Sequence, residues 1–392
     1  MIRRNIAIWY VSVATYGFAT GFLYWFIPII LAKISYLLLA LVFSVCGLSG
    51  TLLPMVGGAL ADILGRKKII IIQSGLVELG IIIIYFALQR SDVVMLACGF
   101  IIFRSGGYLG LPVATALYDE SCDPERLGTI SSIAGTIRTS CIIVSSVSSG
   151  ILLPIIRVHG VLLVVITLYF FGFLSKFFLV ETLEHKHRVE SHIHRKFVET
   201  MKIVISDRDL VRYTFLLALL TLFDWFIILL PVVLEKEYGF SLSLVAFYYA
   251  IYVFLSGVPS PIGGVAVDRL GIKKALLISI TMDTSLLIAF FLIVGLDPIV
   301  GFLILVFAGS VTWFEGAVHT VLPYRITSRE TRGSVYGFWT SLYWATSIAM
   351  PWIMYAFWGI SSLLAIVVPT IVNIIVNIMI IIWFGNIPSK DL

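Results

Sequence analysis

Residues 57–68 read GGALADILGRKK, and residues 263–274 read GGVAVDRLGIKK. At an offset of 206 positions, Gly57, Gly58, Asp62, Gly65, Lys67 and Lys68 return as Gly263, Gly264, Asp268, Gly271, Lys273 and Lys274. A fainter echo follows, with Glu125 and Gly128 matched by Glu330 and Gly333. Self-similarity at a fixed offset describes a chain built twice. Each copy lies in a short polar break between long apolar runs, so the runs decide what is repeated.

Those runs dominate the chain. Of its 392 residues, 60% are hydrophobic and 12% charged, against about 25% charged in ordinary globular proteins. Mean hydropathy is +1.05. Soluble enzymes, nucleic-acid readers and disordered chains are excluded, because each needs more polar surface than this sequence offers. A spanning helix takes roughly 20 apolar residues. Windows of that length fall at approximately 6–32, 35–60, 69–89, 93–118, 129–153, 159–180, 211–234, 242–267, 274–295, 299–322, 333–357 and 361–384. Stretches such as Ile69–Ile72 do not alternate with polar residues as membrane strands do. The expectation is an all-α integral membrane protein. Twelve transmembrane helices form two pseudo-symmetric six-helix halves, 1–180 and 211–392, joined by a cytoplasmic linker, 181–210. The apolar run after Arg3 and Arg4 is too long for a cleaved signal and reads as a retained first helix.

Orientation follows from the basic residues. With the amino terminus inside, Lys33, Arg90, Arg157 and Lys236 face outward, Arg104 and Arg138 fall within spans, and 21 of the 27 Lys and Arg residues lie on the cytoplasmic side. That excess sets topology and places both termini in the cytoplasm of a cell-membrane protein. The net charge of +5 therefore reports the anionic leaflet and not nucleic acid. The four cysteines have no paired spacing and read as small core residues.

The doubled motif resembles the loop signature of the major facilitator superfamily: Gly, three residues, Asp, a basic residue, one residue, Gly, then basic residues. Gly58, Asp62, Gly65 and Arg66 carry it in the first copy, Asp268 and Arg269 in the second. Ile63 and Ile272 stand where the pattern has a basic residue. The resemblance spans essentially the whole chain. It implies a secondary transporter working by alternating access around a central cavity lined mainly by spans one, four, seven and ten. It further implies that Gly58, Asp62, Gly65, Arg66, Asp268 and Arg269 belong to a cytoplasmic gate. No cofactor is expected, and no phosphate-binding loop or hydrolytic motif points to an enzyme.

Ionisable residues inside a bilayer cost at least roughly 2.5–3.5 kcal/mol unless paired or watered, so each is a functional candidate. Arg104 and Tyr108 are four residues apart in span four and share a face. Arg138 lies near the middle of span five. Two guanidiniums facing one cavity suit a carboxylate or phosphate, and the competing reading pairs them with Glu120, Asp224 or Glu315. Glu315 and His319, one turn apart in span ten, suit proton coupling, with Asp224 across the cavity and Trp225 beside it as a stacking surface. Glu78 and Asp283, on supporting spans three and nine, read as hydrogen-bonding groups between helices. Arg104, Gly107 and Gly110 look like the span-four pattern of the family's drug/proton antiporters. The segment SSGILLP at 148–154 lacks those antiporters' Gly-Pro-Gly-Gly run. His185, His187, His192 and His194 in the linker read as a solvated surface segment and not as a metal site. The chain is thus expected to act as a monomer in the lipid bilayer, moving a small organic solute, with a bias toward anions, together with protons. Export of lipophilic or cationic compounds, and uncoupled facilitation or sensing on the same fold, are the alternatives.

Overall fold

The structure is a computed structural model that describes residues 2–122, 127–182, 229–257, 269–309 and 332–385, with the single residues 202, 211, 265 and 311. Every regular element among the described residues is helical. In chain order these include α1 (Ile2–Ile34), α2 (Tyr36–Leu64), α3 (Arg66–Arg90), α4 (Val93–Glu120), α5 (Leu127–Ser175), α6 (Leu242–Gly257), α7 (Ile272–Ile293), α8 (Arg332–Ile360) and α9 (Ser362–Gly385). A 3-10 turn, Lys176–Phe178, continues α5. This is an all-α membrane fold, as the unbroken apolar runs required.

The expected spans five and six form one 49-residue element interrupted at Arg157 (φ 57, ψ 179). One residue on the left-handed side of the backbone map breaks the helix where the sequence suggests a loop. Arg157 takes this conformation without being glycine, a strained choice for a side-chain-bearing residue. Prolines 28, 54, 112, 154, 351 and 369 all lie inside helices. Such placement is tolerated in a bilayer, where neighbouring helices satisfy the freed carbonyls.

The repeated motif has a physical basis at its last glycine. Gly65 (φ 94, ψ 146) joins α2 to α3, and Gly271 (φ 80, ψ 157) enters α7 at the same motif position. Both conformations are costly for any residue with a Cβ.

The chain divides into two compact units. Unit 1 comprises Met1–Ser191, Ser241–Ala250 and Ser347–Trp352; unit 2 comprises His192–Phe240, Ile251–Thr346 and Ile353–Leu392. Unit 1 is held by helix pairs that meet at glycines. A Cβ at Gly17 would lie 2.6 Å from the Arg138 carbonyl oxygen, and one at Gly21 would lie 2.5 Å from that of Ile142. This is a small-xxx-small contact between α1 and α5. Ser146 completes it by donating to the Gly21 carbonyl at 2.7 Å. Gly80 and Gly106 do the same between α3 and α4. The outlying segments join through hydroxyl-to-carbonyl bonds: Ser243 to Gly150 and Ser44 to Ile348, both at 2.7 Å.

The outside of α2 is apolar. Leu37, Leu41, Val45, Leu48, Leu52, Val56, Leu60 and Leu64 recur every three or four residues and are all exposed. That stripe is an apolar face of the kind a bilayer solvates. In unit 2, Asp283 on α7 accepts from Asn377 on α9 at 2.8 Å, and Asn377 also reaches Asn373 at 2.9 Å. The amides and carboxyl thus tie α7 to α9.

The glycine contacts give a direct test. A Cβ at Gly80 would meet the Phe103 nitrogen at 2.5 Å and the Gly99 carbonyl at 2.8 Å, whereas one at Gly75 meets only the Phe173 ring at 3.8 Å. Gly80→Val is expected to cost about 1–3 kcal/mol through forced separation of α3 and α4 and to lower the thermal midpoint of the detergent-purified chain. Gly75→Ala leaves the midpoint unchanged or raises it.

Candidate functional site

Unit 1 gathers two cations and a group of tyrosines near the middle of its helices. Arg104 comes from α4, and its guanidinium lies 4.6 Å from the Tyr24 ring and 5.0 Å from the Tyr108 ring. It also donates to the Tyr108 hydroxyl. The i, i+4 spacing that placed Arg104 and Tyr108 on one face is realised as a direct bond. Arg138, from α5, stands 5.9 Å from the Tyr16 ring. Tyr16 and Tyr24, both on α1, are joined hydroxyl to hydroxyl at 3.4 Å. A line of side chains therefore runs Arg138, Tyr16, Tyr24, Arg104, Tyr108. On α6, Tyr249 comes within electrostatic range of Tyr24, Arg138 and Arg104.

The two arginines differ in a way that decides their chemistry. Arg104 is flanked by two rings, each such contact contributing about 0.5–2 kcal/mol depending on its exposure, and its position is fixed. Arg138 is exposed on the surface of unit 1, and no carboxylate of the described residues lies within ion-pair distance of it. An exposed guanidinium at mid-span cannot face hydrocarbon, so it needs water, a polar solute or an acid beside it. The fold makes room for this arrangement by omitting a side chain. A Cβ at Gly107 would lie 2.5 Å from the Tyr16 hydroxyl.

Sequence reasoning does not single out Tyr16 and Tyr24. Their spacing of eight puts them on one face of α1, but aromatic residues near a membrane read equally well as interfacial anchors. Trp25, also on α1, packs among Phe22 and Phe26 and is fully buried. Beyond Arg138 on α5, Ser145, Ser146 and Ser149 are buried.

Asp224, Trp225, Glu315, His319 and Asp268 lie outside the described residues, as do the four linker histidines. Asp62 falls in the last turn of α2, and Arg269 is exposed. Arg66 forms an ion pair with Glu120 at the end of α4. Beside it, Glu181 accepts from the Lys67 backbone N–H at 3.0 Å, placing an acid at the positive end of α3. Asn5 of α1 grips the same segment, exchanging hydrogen bonds with the Val180 backbone at 3.1 and 2.9 Å and donating to Ser121 at 2.9 Å. The chain leaving α5 is thereby fastened to α1, α3 and α4 at the motif.

The model of the Major Facilitator Superfamily matches residues 9–351. The chain belongs to that superfamily. It is a multi-pass membrane transporter for a small molecule, and not an enzyme. No curated protein matches it by sequence. Among solved structures, a single-substitution mutant of the nucleoside transporter NupG aligns with a TM-score of 0.75 at 14% identity, covering 97% of this chain and 99% of that one. A D-xylose-proton symporter aligns with a TM-score of 0.74 at 14% identity over 100% and 98% of the two chains. The human organic anion transporter MFSD10 aligns at 0.66 and 16% identity over 96% and 99%. At these identities the likeness is one of fold.

The Arg66–Glu120 pair predicts a pH effect. Burial works to raise the Glu120 carboxyl, but hydrogen bonds from Arg66 and Thr182, with the charge of Arg66, outweigh it and hold the group below the usual glutamate range. A carboxyl lowered in the folded state contributes stability above its unfolded pKa and loses it as pH falls through the folded value. The difference in thermal midpoint between wild type and Glu120→Gln is therefore expected at neutral pH and closes below about pH 4. Its size is small, because Glu120 is partly exposed and the pair is screened by water.

Proposed function

We propose that this superfamily transporter carries a small organic anion, and that Arg138 is the charge the solute meets. The observation that carries the reading is an exposed mid-span guanidinium with no acid of the described residues paired to it, two tyrosines along from a second, ring-clamped guanidinium. Arg138 offers a planar donor fork to a carboxylate or phosphate. Arg104, Tyr108 and Tyr24 form the fixed wall that raises the local positive potential. Asp224 and Trp225 are assigned to the same solute site from span seven.

Coupling is assigned to protons, with Glu315, His319 and Asp224 as the relay. The halves 1–180 and 211–392 alternate access to the site, joined by 181–210. Gly58, Asp62, Gly65 and Arg66, with Asp268 and Arg269, act as the cytoplasmic gate, and both termini face the cytoplasm of a monomer in the cell membrane. Of the similar structures, one is an organic anion transporter and another a proton symporter, so the fold accommodates both features.

The test is ligand-induced thermal stabilisation of the purified chain with panels of carboxylates, organic phosphates, sugars and lipophilic cations. Anions are expected to raise the midpoint by mass action. Arg138→Ala should weaken the effect by about 10- to 100-fold in apparent affinity, as expected for lost charge-assisted hydrogen bonds, with Arg138→Lys between the two. Stabilisation by cations alone would refute the anion reading and favour export of cationic compounds.

A further inference from the structure

The positive-inside count places Lys176 among the cytoplasmic surface charges, yet its side chain is 3% exposed. Its ammonium nitrogen points into unit 1 and donates to Ser74 on α3 at 2.6 Å. The Tyr169 ring lies 5.4 Å away. Among the described residues these are its polar and ring contacts, so a charged Lys176 would hold three donors for one hydroxyl. Ser74 is itself shared, donating to the Ile70 carbonyl and accepting from Gln73, both at 2.7 Å. One turn further along the same face of α3 stands Glu78, 6% exposed, its buried Oε2 atom without a hydrogen-bond partner among the described residues.

A buried ammonium held at Ser74 and a buried carboxyl one turn along α3 thus have no ion pair between them. The ring contact returns far less than the desolvation of an isolated ammonium costs. Around them, the titratable groups are phenols: Tyr169 on α5, Tyr118 on α4 within reach of Tyr169, and Tyr16 on α1, whose ring meets Tyr169 at 6.5 Å. The nearby permanent charges are engaged elsewhere. Arg104 and Arg138 face Tyr24, Tyr108 and Tyr16. Arg66 pairs with Glu120, and Glu181 accepts from the Lys67 backbone.

We propose that Glu78 and Lys176 form a proton-holding site in the supporting helices of unit 1, separate from the solute-facing arginines. In the resting site the proton leaves Nζ and rests on the Glu78 carboxyl. An N–H bond is exchanged for an O–H bond, and amine and acid are both neutral. Each neutral group then needs fewer partners than its ion would, and no net charge is left in the low-dielectric interior. The site does not depend on what the transporter carries.

Proton counting supplies the test. A neutral amine with a neutral acid holds one proton, and so does the unfolded pair at neutral pH, so the pair contributes no pH dependence of stability. Each single substitution breaks that balance with opposite sign. In Lys176→Met the remaining acid holds a proton that its unfolded form lacks, so stability relative to wild type falls as pH rises. In Glu78→Gln the remaining amine lacks a proton that its unfolded form binds, so relative stability climbs as pH rises. Each trend reaches at most roughly tenfold in the folding equilibrium per pH unit, setting in for the lone acid above its unfolded value of about 4 and ending for the lone amine at its unfolded value of about 10, read from thermal midpoints of the full-length chain. The double variant should run parallel to wild type. Single variants that both run parallel to wild type overturn the proposal. If a variant is too unstable to measure, infrared spectroscopy of the wild type and of Glu78→Asp decides. A protonated-carboxyl C=O stretch that shifts with Glu78→Asp supports the site, and a carboxylate band there rules it out.

Discussion

Arginine keeps its proton at any pH a cell provides, and hydrocarbon will not take a guanidinium. Arg104 and Arg138 therefore oblige the helices around them to supply either rings or water. Tyr24 and Tyr108 enclose Arg104, while Arg138 remains open. Much of the packing described above serves to hold this arrangement. The α1–α5 glycine contact sets Tyr16 beside Arg138, and the α3–α4 contact fixes the helix that bears Arg104.

What was legible in the sequence is what depends on spacing along one helix. Arg104 and Tyr108 share a face because four residues make about one turn, and Gly65 and Gly271 announced a backbone conformation that only a residue lacking a Cβ enters freely. What escaped depends on depth and direction, which a string of letters does not carry. Lys176 stands at the end of a span and obeys the positive-inside count, but its four-carbon stem turns inward and not toward the leaflet. Gly17 and Gly21 form a plain small-xxx-small pattern, hidden because the surrounding apolar residues already explain the helix. Tyr16 and Tyr24 could not be told from interfacial anchors until Arg138 and Arg104 were found beside them.

The two units also treat the same problem differently. Glu78 on α3 and Asp283 on α7 are one residue out of register in the repeat. Asp283 is met by the amide of Asn377 on α9, a neutral donor suited to tying helices together. Glu78 has a buried lysine one turn away instead. A duplicated scaffold thus carries a buried acid in each copy beside a neighbour of different chemistry.

Gly107 carries no side chain and no charge, yet it sets how far the Tyr16 hydroxyl extends toward α4. A single methyl there would push that ring aside and alter the shape of the site without changing one of its functional groups. Divergence in what such carriers accept can thus accumulate at small residues behind the lining, where a comparison of the charged positions alone would register no difference.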